Sequence, residues 1–286
     1  MSQADSADSR DDRGGEGAAE GKEREVRPIR CFLTDTHAHL SYIAERLGRR
    51  AIDELAAAYA DAGAMVLDPG VDYDDYPVRK AAFGDLGFVR LAAGIWPDAE
   101  SIGDAEARVA ALEAHLRDPA CVAVGECGLD YHWMHGGPSE QAELFSAQAE
   151  LAVRLGKPLI VHSRDAHRDT LAIVRPVASR IPVIIHCFGY DEEAAREYAA
   201  AGCYVSFAGN LSYKKSGALR AACAAVPGER LLLETDSPYM CPEPRRGKDA
   251  TPLDIGRTYA LAAALRGSSI DDLAELVARN AAALFG

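Results

Sequence analysis

The feature that most restricts the fold of this chain is a regular alternation of short β-rich runs with Ala-rich segments of helical periodicity. The β-rich runs lie at 32–36, 65–69, 88–95, 122–129, 159–162, 183–186, 204–207 and 231–235. Alternating strand and helix predicts parallel β/α units, and eight units in about 250 residues have the size of a closed barrel. The sequence therefore predicts an α/β fold of the (β/α)8 TIM-barrel type.

The segments between the runs place Ala, Leu and Val at helical spacing among Glu and Arg. They lie at 52–62, 105–116, 140–155 and 192–200, and two closing helices are expected at 253–265 and 270–284. An open, doubly wound sheet is the alternative architecture. No G-x-G-x-x-G follows the first run, which disfavours the dinucleotide-binding version of that open sheet.

Residues 1–30 differ in composition from the rest of the chain, with eight acidic residues, six basic residues and no aromatic residue. Such a segment cannot bury enough apolar surface to offset its chain entropy, so we expect a disordered charged tail before one barrel domain over 31–286. The tail lacks the apolar stretch of a signal peptide, and no membrane span is expected after it. The seven cysteines form no C-x-x-C and are typical of buried thiols in a reducing compartment, which predicts a cytoplasmic location.

The net charge of −13 bears on function. A protein that holds nucleic acid through many Lys and Arg contacts to phosphate is usually basic. If this chain acts on a phosphodiester, bound cations must therefore supply the attraction locally.

Histidines and carboxylates mark the ends of five predicted strands. In chain order they are His37, His39, Glu126, His162, His186 and Asp236. Residues two apart in an extended segment face the same side, so the His-Ala-His segment can point two imidazoles at one ion. The carboxyl ends of barrel strands meet at one rim, where barrel enzymes keep their chemistry.

Each of these residues alone has an ordinary structural explanation. His186 could be a core histidine bound to a backbone carbonyl, Glu126 a helix cap or ion-pair member, and Asp236 the start of a turn. Buried acids and imidazoles that converge without a cation would cost several kcal/mol, however, so their joint placement favours a metal site.

Six ligands are too many for one four-coordinate zinc and suit two divalent cations about 3.5–4 Å apart. We expect one cation at His37, His39 and Asp236, another at His162 and His186, and Glu126 bridging the two. A water shared by the cations would be the nucleophile, with Asp236 as general base, so Asp236 and Glu126 are the candidate catalytic residues. Four histidines suit zinc, manganese or nickel better than magnesium.

The motifs that carry these residues resemble the TatD family of metal-dependent deoxyribonucleases, within the amidohydrolase superfamily. They are DTHAHL at 35–40, GECGLDYH at 125–132, KPLIVHSRDA at 157–166, IIHCFG at 184–189, YVSFAGN at 204–210 and LLLETDSPYMCPEPRRGK at 231–248. The resemblance covers nearly all of 31–286 and places the same six residues at the metal-ligand positions of the family. It implies hydrolysis of phosphodiester bonds in DNA, often from a 3′ end, with magnesium, manganese or zinc.

The resemblance also implies substrate contacts at the rim. The candidates are Arg164, Arg245 and Arg246 for phosphate oxygens and Tyr131 for a base or sugar. A solvated face or an ion pair suits the arginines about equally well, and core packing suits Tyr131 at least as well. Trp96 departs from the family, which usually has Gly-x-His-Pro where this chain has Gly-Ile-Trp-Pro. This change bears on the substrate and leaves the metal ligands unchanged.

The expected substrate is therefore DNA, as single strands or free ends cleaved by a 3′–5′ exonuclease. The sequence leaves the oligomeric state open, and a monomer is one possibility. One alternative is an amidohydrolase-type enzyme that acts on a small phosphoester, lactone or amide. Many such barrels bridge their metals with a carboxylated lysine at the end of strand four, where this chain has Glu126. A non-catalytic, metal-stabilised barrel is the other alternative.

Overall fold

The computed structural model describes residues 33–286, so the expected charged tail at 1–30 lies outside the described residues. Seven strands form one parallel sheet in sequence order. They are β1 Val66–Asp68, β2 Val89–Ala93, β3 Cys121–Asp130, β4 Leu159–Arg164, β5 Val183–Ile185, β6 Tyr204–Phe207 and β7 Leu231–Leu233. Each of them falls on a β-rich run of the sequence.

The first predicted strand, at 32–36, is not a regular strand in the described part of the chain. Isolated bridges occur there instead. The amide of Asp35 donates to the carbonyl of Met65, and the amide of Ala38 donates to the carbonyl of Leu67. The two donors are three residues apart in this segment, whereas the two acceptors are only two residues apart. One extra residue interrupts a regular ladder in this way, as a β-bulge does.

The same segment nevertheless closes the sheet. The amide of Thr36 donates to the carbonyl of Leu233 in β7, and the amide of His39 donates to the carbonyl of Ser237 just after β7. Because the segment bonds to β1 on its other side, the two edges of the seven-stranded sheet are joined. The fold is a (β/α)8 barrel whose first position is filled by an irregular extended segment.

Helices surround the barrel, and all six predicted helical segments fall on them. The helices of the described residues are α1 Leu40–Leu47, α2 Arg49–Tyr59, α3 Tyr76–Phe83, α4 Ala99–Gly103, α5 Ala105–Leu116, α6 Pro138–Leu155, α7 His167–Ala178, α8 Glu192–Ala200, α9 Gly217–Ala225, α10 Ile255–Arg266 and α11 Ile270–Phe285. Short 3₁₀ helices occupy Gly209–Ser212, Gly228–Arg230 and Pro252–Asp254. No helix in this part of the chain has both the length and the apolar character needed to cross a bilayer.

The ends of α6 show how local sequence sets these elements. Pro138 stands in the first turn, where its missing amide proton costs nothing, and Glu140 accepts a hydrogen bond from the amide of Gly137 at 2.7 Å. The helix ends at Gly156, which adopts the left-handed conformation at φ 65° that glycine tolerates best. Between these two ends the long helix packs against β3.

The core lies inside the barrel and between the barrel and its helices. Every residue of β1, β5 and β7 is buried, as expected for parallel strands that are covered on both faces. The six cysteines of the described region are free, and all but Cys187 are buried, which agrees with the small apolar role expected for them. The cytoplasmic location stays a prediction.

Candidate metal centre

The six predicted ligands converge at the carboxyl ends of the strands. His37 and His39 lie on the irregular first segment, Glu126 lies within β3 and His162 within β4. His186 follows β5, and Asp236 follows β7. All are buried except His162, whose side chain is 18% exposed.

Glu126 is the centre of this cluster, because its two carboxylate oxygens face two different pairs of histidines. Oε2 lies 3.2 Å from Nε2 of His37 and 3.7 Å from Nε2 of His39. Oε1 lies 3.1 Å from Nδ1 of His162 and 3.1 Å from Nε2 of His186. One carboxylate therefore separates two sets of imidazole nitrogens.

Asp236 completes the first set. Its Oδ1 lies 3.5 Å from Nε2 of His39 and 4.0 Å from Nε2 of His37. The backbone of Asp236 has φ 54°, a conformation that non-glycine residues seldom adopt, and its amide donates to the carbonyl of His37. The turn after β7 is thus tied to the first segment, and the carboxylate lies within the cluster.

A second layer of carboxylates contacts the histidines from behind. Nε2 of His162 lies 2.8 Å from Oδ2 of Asp130, and Nδ1 of His186 lies 3.4 Å from Oε1 of Glu234. Each of these histidines therefore presents one ring nitrogen to Glu126 and the other to an outer acid. This is the arrangement that orients imidazole ligands around metals.

The pKa values in this cluster depend on the burial of its side chains and on the short distances between their charged groups. Burial alone would raise the pKa of Glu126, but the facing His186, His162 and His37 hold it well below its ordinary value. Burial would lower the pKa of His186, yet Glu126 and Glu234 raise it well above its ordinary value. The pKa of His37 is lowered by burial and by the positive charge of His186. Glu126 is therefore held in the ionised form that a metal ligand requires.

The donor set fits divalent cations. Ligand atoms of His37, His39 and Asp236 lie within 4.8 Å of one another, and so do those of Glu126, His162 and His186. Nδ1 of the buried His37 has no hydrogen-bond partner among the described residues. Imidazole nitrogens and carboxylate oxygens suit zinc, manganese and nickel.

A cavity of about 790 Å³ opens above the cluster and is lined by Glu126, His162 and Asp236 among others. Two of the five predicted substrate contacts, Trp96 and Arg164, line it as well. The Trp96 ring centroid lies 5.8 Å from that of His162. The side of the cavity nearest His162 is therefore formed by an indole.

The other three predicted substrate contacts do not line this cavity. Arg245 forms an ion pair with Asp254 at 2.7 Å. Arg246 lies over the ring of Tyr213, 4.3 Å from its centroid, and the hydroxyl of Tyr131 donates to Asp169 at 2.8 Å. A role in substrate binding stays a prediction for these three residues.

Three residues that shape the site were not predicted from the sequence. Asp130 and Glu234 hold the histidines, as described above, and Trp133 is 60% exposed and lines the cavity beneath Arg164. Asp130 and Glu234 stand within motifs already quoted, beside the ligands in the chain. Both could have been predicted from the sequence as partners of the histidines, since metal-bound histidines usually donate their second ring N–H to a carboxylate.

The model of the TatD-related DNase family matches residues 34–286, which is nearly the whole described chain. The chain belongs to this family. The match includes every residue of the cluster around Glu126.

Individual relatives agree with this membership. The metal-dependent hydrolase YcfH of Escherichia coli is 35% identical over 260 residues, which cover 89% of this chain and 96% of the relative. The 3′-5′ ssDNA/RNA exonuclease TatD of Edwardsiella piscicida is 37% identical over 205 residues, covering 69% and 78% of the two chains. The crystal structure of the TatD homolog YjjV from Escherichia coli superposes with a TM-score of 0.76 at 25% identity, covering 90% of this chain and 99% of that one.

Family membership confirms the expected fold and makes the chain a metal-dependent hydrolase acting on ester bonds. The interpretation as a non-catalytic barrel is left without support. Within residues 33–286, the groups of side chains that could hold a metal lie around Glu126, and one of them includes Glu234.

Proposed function

We propose that this enzyme hydrolyses phosphodiester bonds in DNA, on single strands or free ends and with 3′–5′ polarity, using two divalent cations. The main support for this proposal is the position of Glu126, whose two carboxylate oxygens face separate sets of ligand atoms. A bridging carboxylate between two such sets is the arrangement found in two-metal hydrolases. The exonuclease relatives support nucleic acid as the substrate.

His37, His39 and Asp236 would hold one cation, and His162 and His186 would hold the other. The cations would supply Lewis acidity and lower the pKa of water at the site. Burial would raise the pKa of Asp236, but the hydrogen bond from His39 and the nearby histidines hold it below its ordinary value. Asp236 is therefore ionised and free to act as the general base that accepts the proton of the attacking water.

The cavity lining provides the remaining functions. Arg164 is exposed, has no carboxylate within ion-pair distance in residues 33–286, and can donate to two phosphate oxygens at once. Trp133 offers a flat exposed face on which an unpaired base can stack. A base held within a duplex presents no such face, which favours single strands and ends.

The test is manganese-dependent cleavage of an end-labelled single-stranded DNA by the wild type, Glu126→Ala and Asp236→Ala. We expect stepwise shortening from the 3′ end by the wild type and a loss of at least about a thousandfold in kcat in both variants, since each removes a ligand and a reacting or bridging carboxylate. Metal content, measured by mass spectrometry, should fall below two ions per chain in the Glu126 variant.

Glu150→Ala is the matched control, because Glu150 is an exposed acid on α6 outside the cavity. It should cleave as the wild type does. If the folded, metal-loaded wild type does not cleave DNA or RNA, the nuclease proposal fails.

The second candidate is hydrolysis of a small phosphoester, lactone or amide, and Trp96 is the observation that favours it. The indole forms part of the cavity lining near His162 and has only one N–H to donate. A panel of small esters and lactones assayed with Trp96→His separates the two candidates. If this change raises DNA cleavage and lowers small-ester turnover, the wild-type cavity is adapted to the smaller substrate.

A further inference from the structure

Two loops beside the cavity carry exposed basic side chains. The first loop follows β6 and includes Lys214 and Lys215, and the second follows β7 and includes Arg246. Within residues 33–286, no carboxylate lies at ion-pair distance from any of the three, and all are exposed. We call these three residues the basic loop patch. Unpaired cations are notable on a chain whose net charge is −13.

The two loops are fixed to each other by several contacts. The hydroxyl of Tyr213 donates to the carbonyl of Cys241 at 3.2 Å, and the amide of Glu243 donates to the hydroxyl of Ser212 at 2.9 Å. Arg246 lies over the ring of Tyr213, the residue before Lys214. The patch therefore belongs to one packed surface.

This surface is continuous with the active-site cavity. A second cavity, of about 480 Å³, is lined by Lys215, and three of its other lining residues also line the active-site cavity. These shared residues are Gly189, Tyr190 and Asn210. Asp191 also lines the second cavity, and one of its oxygens accepts a hydrogen bond from the amide of Ala194. A path therefore leads from the cluster around Glu126, past Tyr190 and Asn210, to Lys215.

We propose that this path is a track for the part of a nucleic acid strand that lies beyond the scissile bond, with the basic loop patch binding its phosphates. The proposal rests on the nuclease function proposed above and adds a requirement for substrate length. Single strands are held by basic grooves that follow the backbone over several nucleotides. A dinucleotide occupies only the cavity, whereas a longer strand reaches the patch.

The test compares the wild type with the double variant Lys214→Gln/Lys215→Gln on two substrates, a thymidine dinucleotide and an oligothymidine of about ten nucleotides. We expect the variant to raise KM for the longer strand about tenfold with little change in kcat, because two phosphate contacts are lost. Fluorescence anisotropy of the labelled longer strand should show a salt dependence that is shallower by about 1.4 in log–log slope. The KM ratio between the two substrates, which a folding defect would not alter, is the deciding quantity.

The double variant Arg175→Gln/Arg180→Gln is the control. Both arginines are exposed on or just after the end of α7, at the opposite face of the barrel, and have no carboxylate partner in the described region. This variant should retain the wild-type KM ratio.

An unchanged KM ratio and salt dependence in the lysine variant would overturn the track, while cleavage by the wild type would leave the nuclease proposal standing. The converse result is distinguishable. If the wild type binds the longer strand through the lysines but cleaves neither substrate, the track is supported and the hydrolytic proposal fails.

Discussion

The outer carboxylates decide which ring nitrogen each histidine offers to a cation. His162 has Nε2 directed at Asp130 and Nδ1 directed at Glu126, so a proton on Nε2 leaves the Nδ1 lone pair for a cation. Asp130 is almost fully buried, and its other oxygen accepts hydrogen bonds from the amides of His132 and Trp133. The same carboxylate thus orients a ligand and holds the loop that carries the exposed indole.

Asp130→Asn should therefore weaken metal binding while leaving the fold intact. The amide retains the shape of the carboxylate but loses the charge that orients His162, and we expect manganese or zinc affinity to fall by about tenfold to a hundredfold. Calorimetric titration of the metal measures this change. Asp169→Asn is the control, since Asp169 accepts from Tyr131 outside the active-site cavity. If both variants bind metal equally well, Asp130 does not orient the ligand.

The pH dependence of metal binding follows from the pKa values of the histidines. Burial lowers the pKa of His39 and His162, but the hydrogen bonds to Asp236 and Asp130 outweigh it and raise both above the ordinary value. In the cation-free site these imidazoles thus stay protonated to higher pH than free histidine, and a cation must displace their protons.

Metal affinity should therefore increase with pH between about 6 and 8, by about tenfold per pH unit for each proton displaced. Competition titrations with a chelating dye at several pH values measure the slope, and proton release can be checked calorimetrically in buffers of different ionisation enthalpy. A flat profile over this range would contradict the raised pKa values.

At the scale of single elements, β3 depends on a glycine where it pairs with β4. Gly128 has φ 147°, and a Cβ at this position would lie 2.0 Å from the carbonyl oxygen of His162. A side chain would therefore force apart the two strands that carry Glu126 and His162. We expect Gly128→Ala to lower the free energy of unfolding by about 3 kcal/mol or more.

Denaturant unfolding measures this loss, with Gly156→Ala as the comparison. Gly156 also has a positive φ, of 65°, but a Cβ there would meet nothing within 4 Å. Its substitution should cost only about 1 kcal/mol, the cost of the left-handed backbone. Equal losses in the two variants would show that the backbone conformation, and not the close approach of β3 to β4, sets the cost.

The strands that were predictable from the sequence are those that form regular backbone hydrogen bonds with their neighbours in the sheet. β6 has the predicted bounds, because its short run of aromatic and β-branched residues is flanked by Gly202 and Gly209. The segment at 32–36 has the same composition signal but includes Asp35, which accepts from the amide and hydroxyl of Thr235. Burial raises the pKa of Asp35 to about 8 despite these hydrogen bonds. Such long-range side-chain contacts set the irregular backbone there, and no local pattern encodes them.

At the scale of the whole molecule, the convergence of the six predicted ligands was predictable because parallel strands bring their carboxyl ends to one rim. His37 and Asp236, for example, are 199 positions apart in the chain yet 4.0 Å apart in space. The substrate contacts at this rim were less predictable, since Arg164 lines the cavity whereas Arg245 pairs with Asp254. Which arginine faces a substrate depends on loop packing, and the sequence pattern of charges does not specify it.

Removal of metal should destabilise the entire barrel, because the cluster around Glu126 joins the first segment, β3, β4 and the chain after β5 and β7. A cation that binds only the folded state adds about 2.7 kcal/mol at a hundred times its Kd, which for a domain of this size raises Tm by about 5–10 °C. Calorimetry of chelator-treated protein, before and after addition of zinc, manganese or magnesium, measures the shift. The softer cations should give the larger increase at equal concentration, because histidine nitrogens are poor ligands for magnesium. Glu150→Ala should retain the increase in Tm, and Glu126→Ala should lose most of it. Equal Tm values of the wild type with and without metal would show that a cation bound at the cluster around Glu126 does not stabilise the barrel.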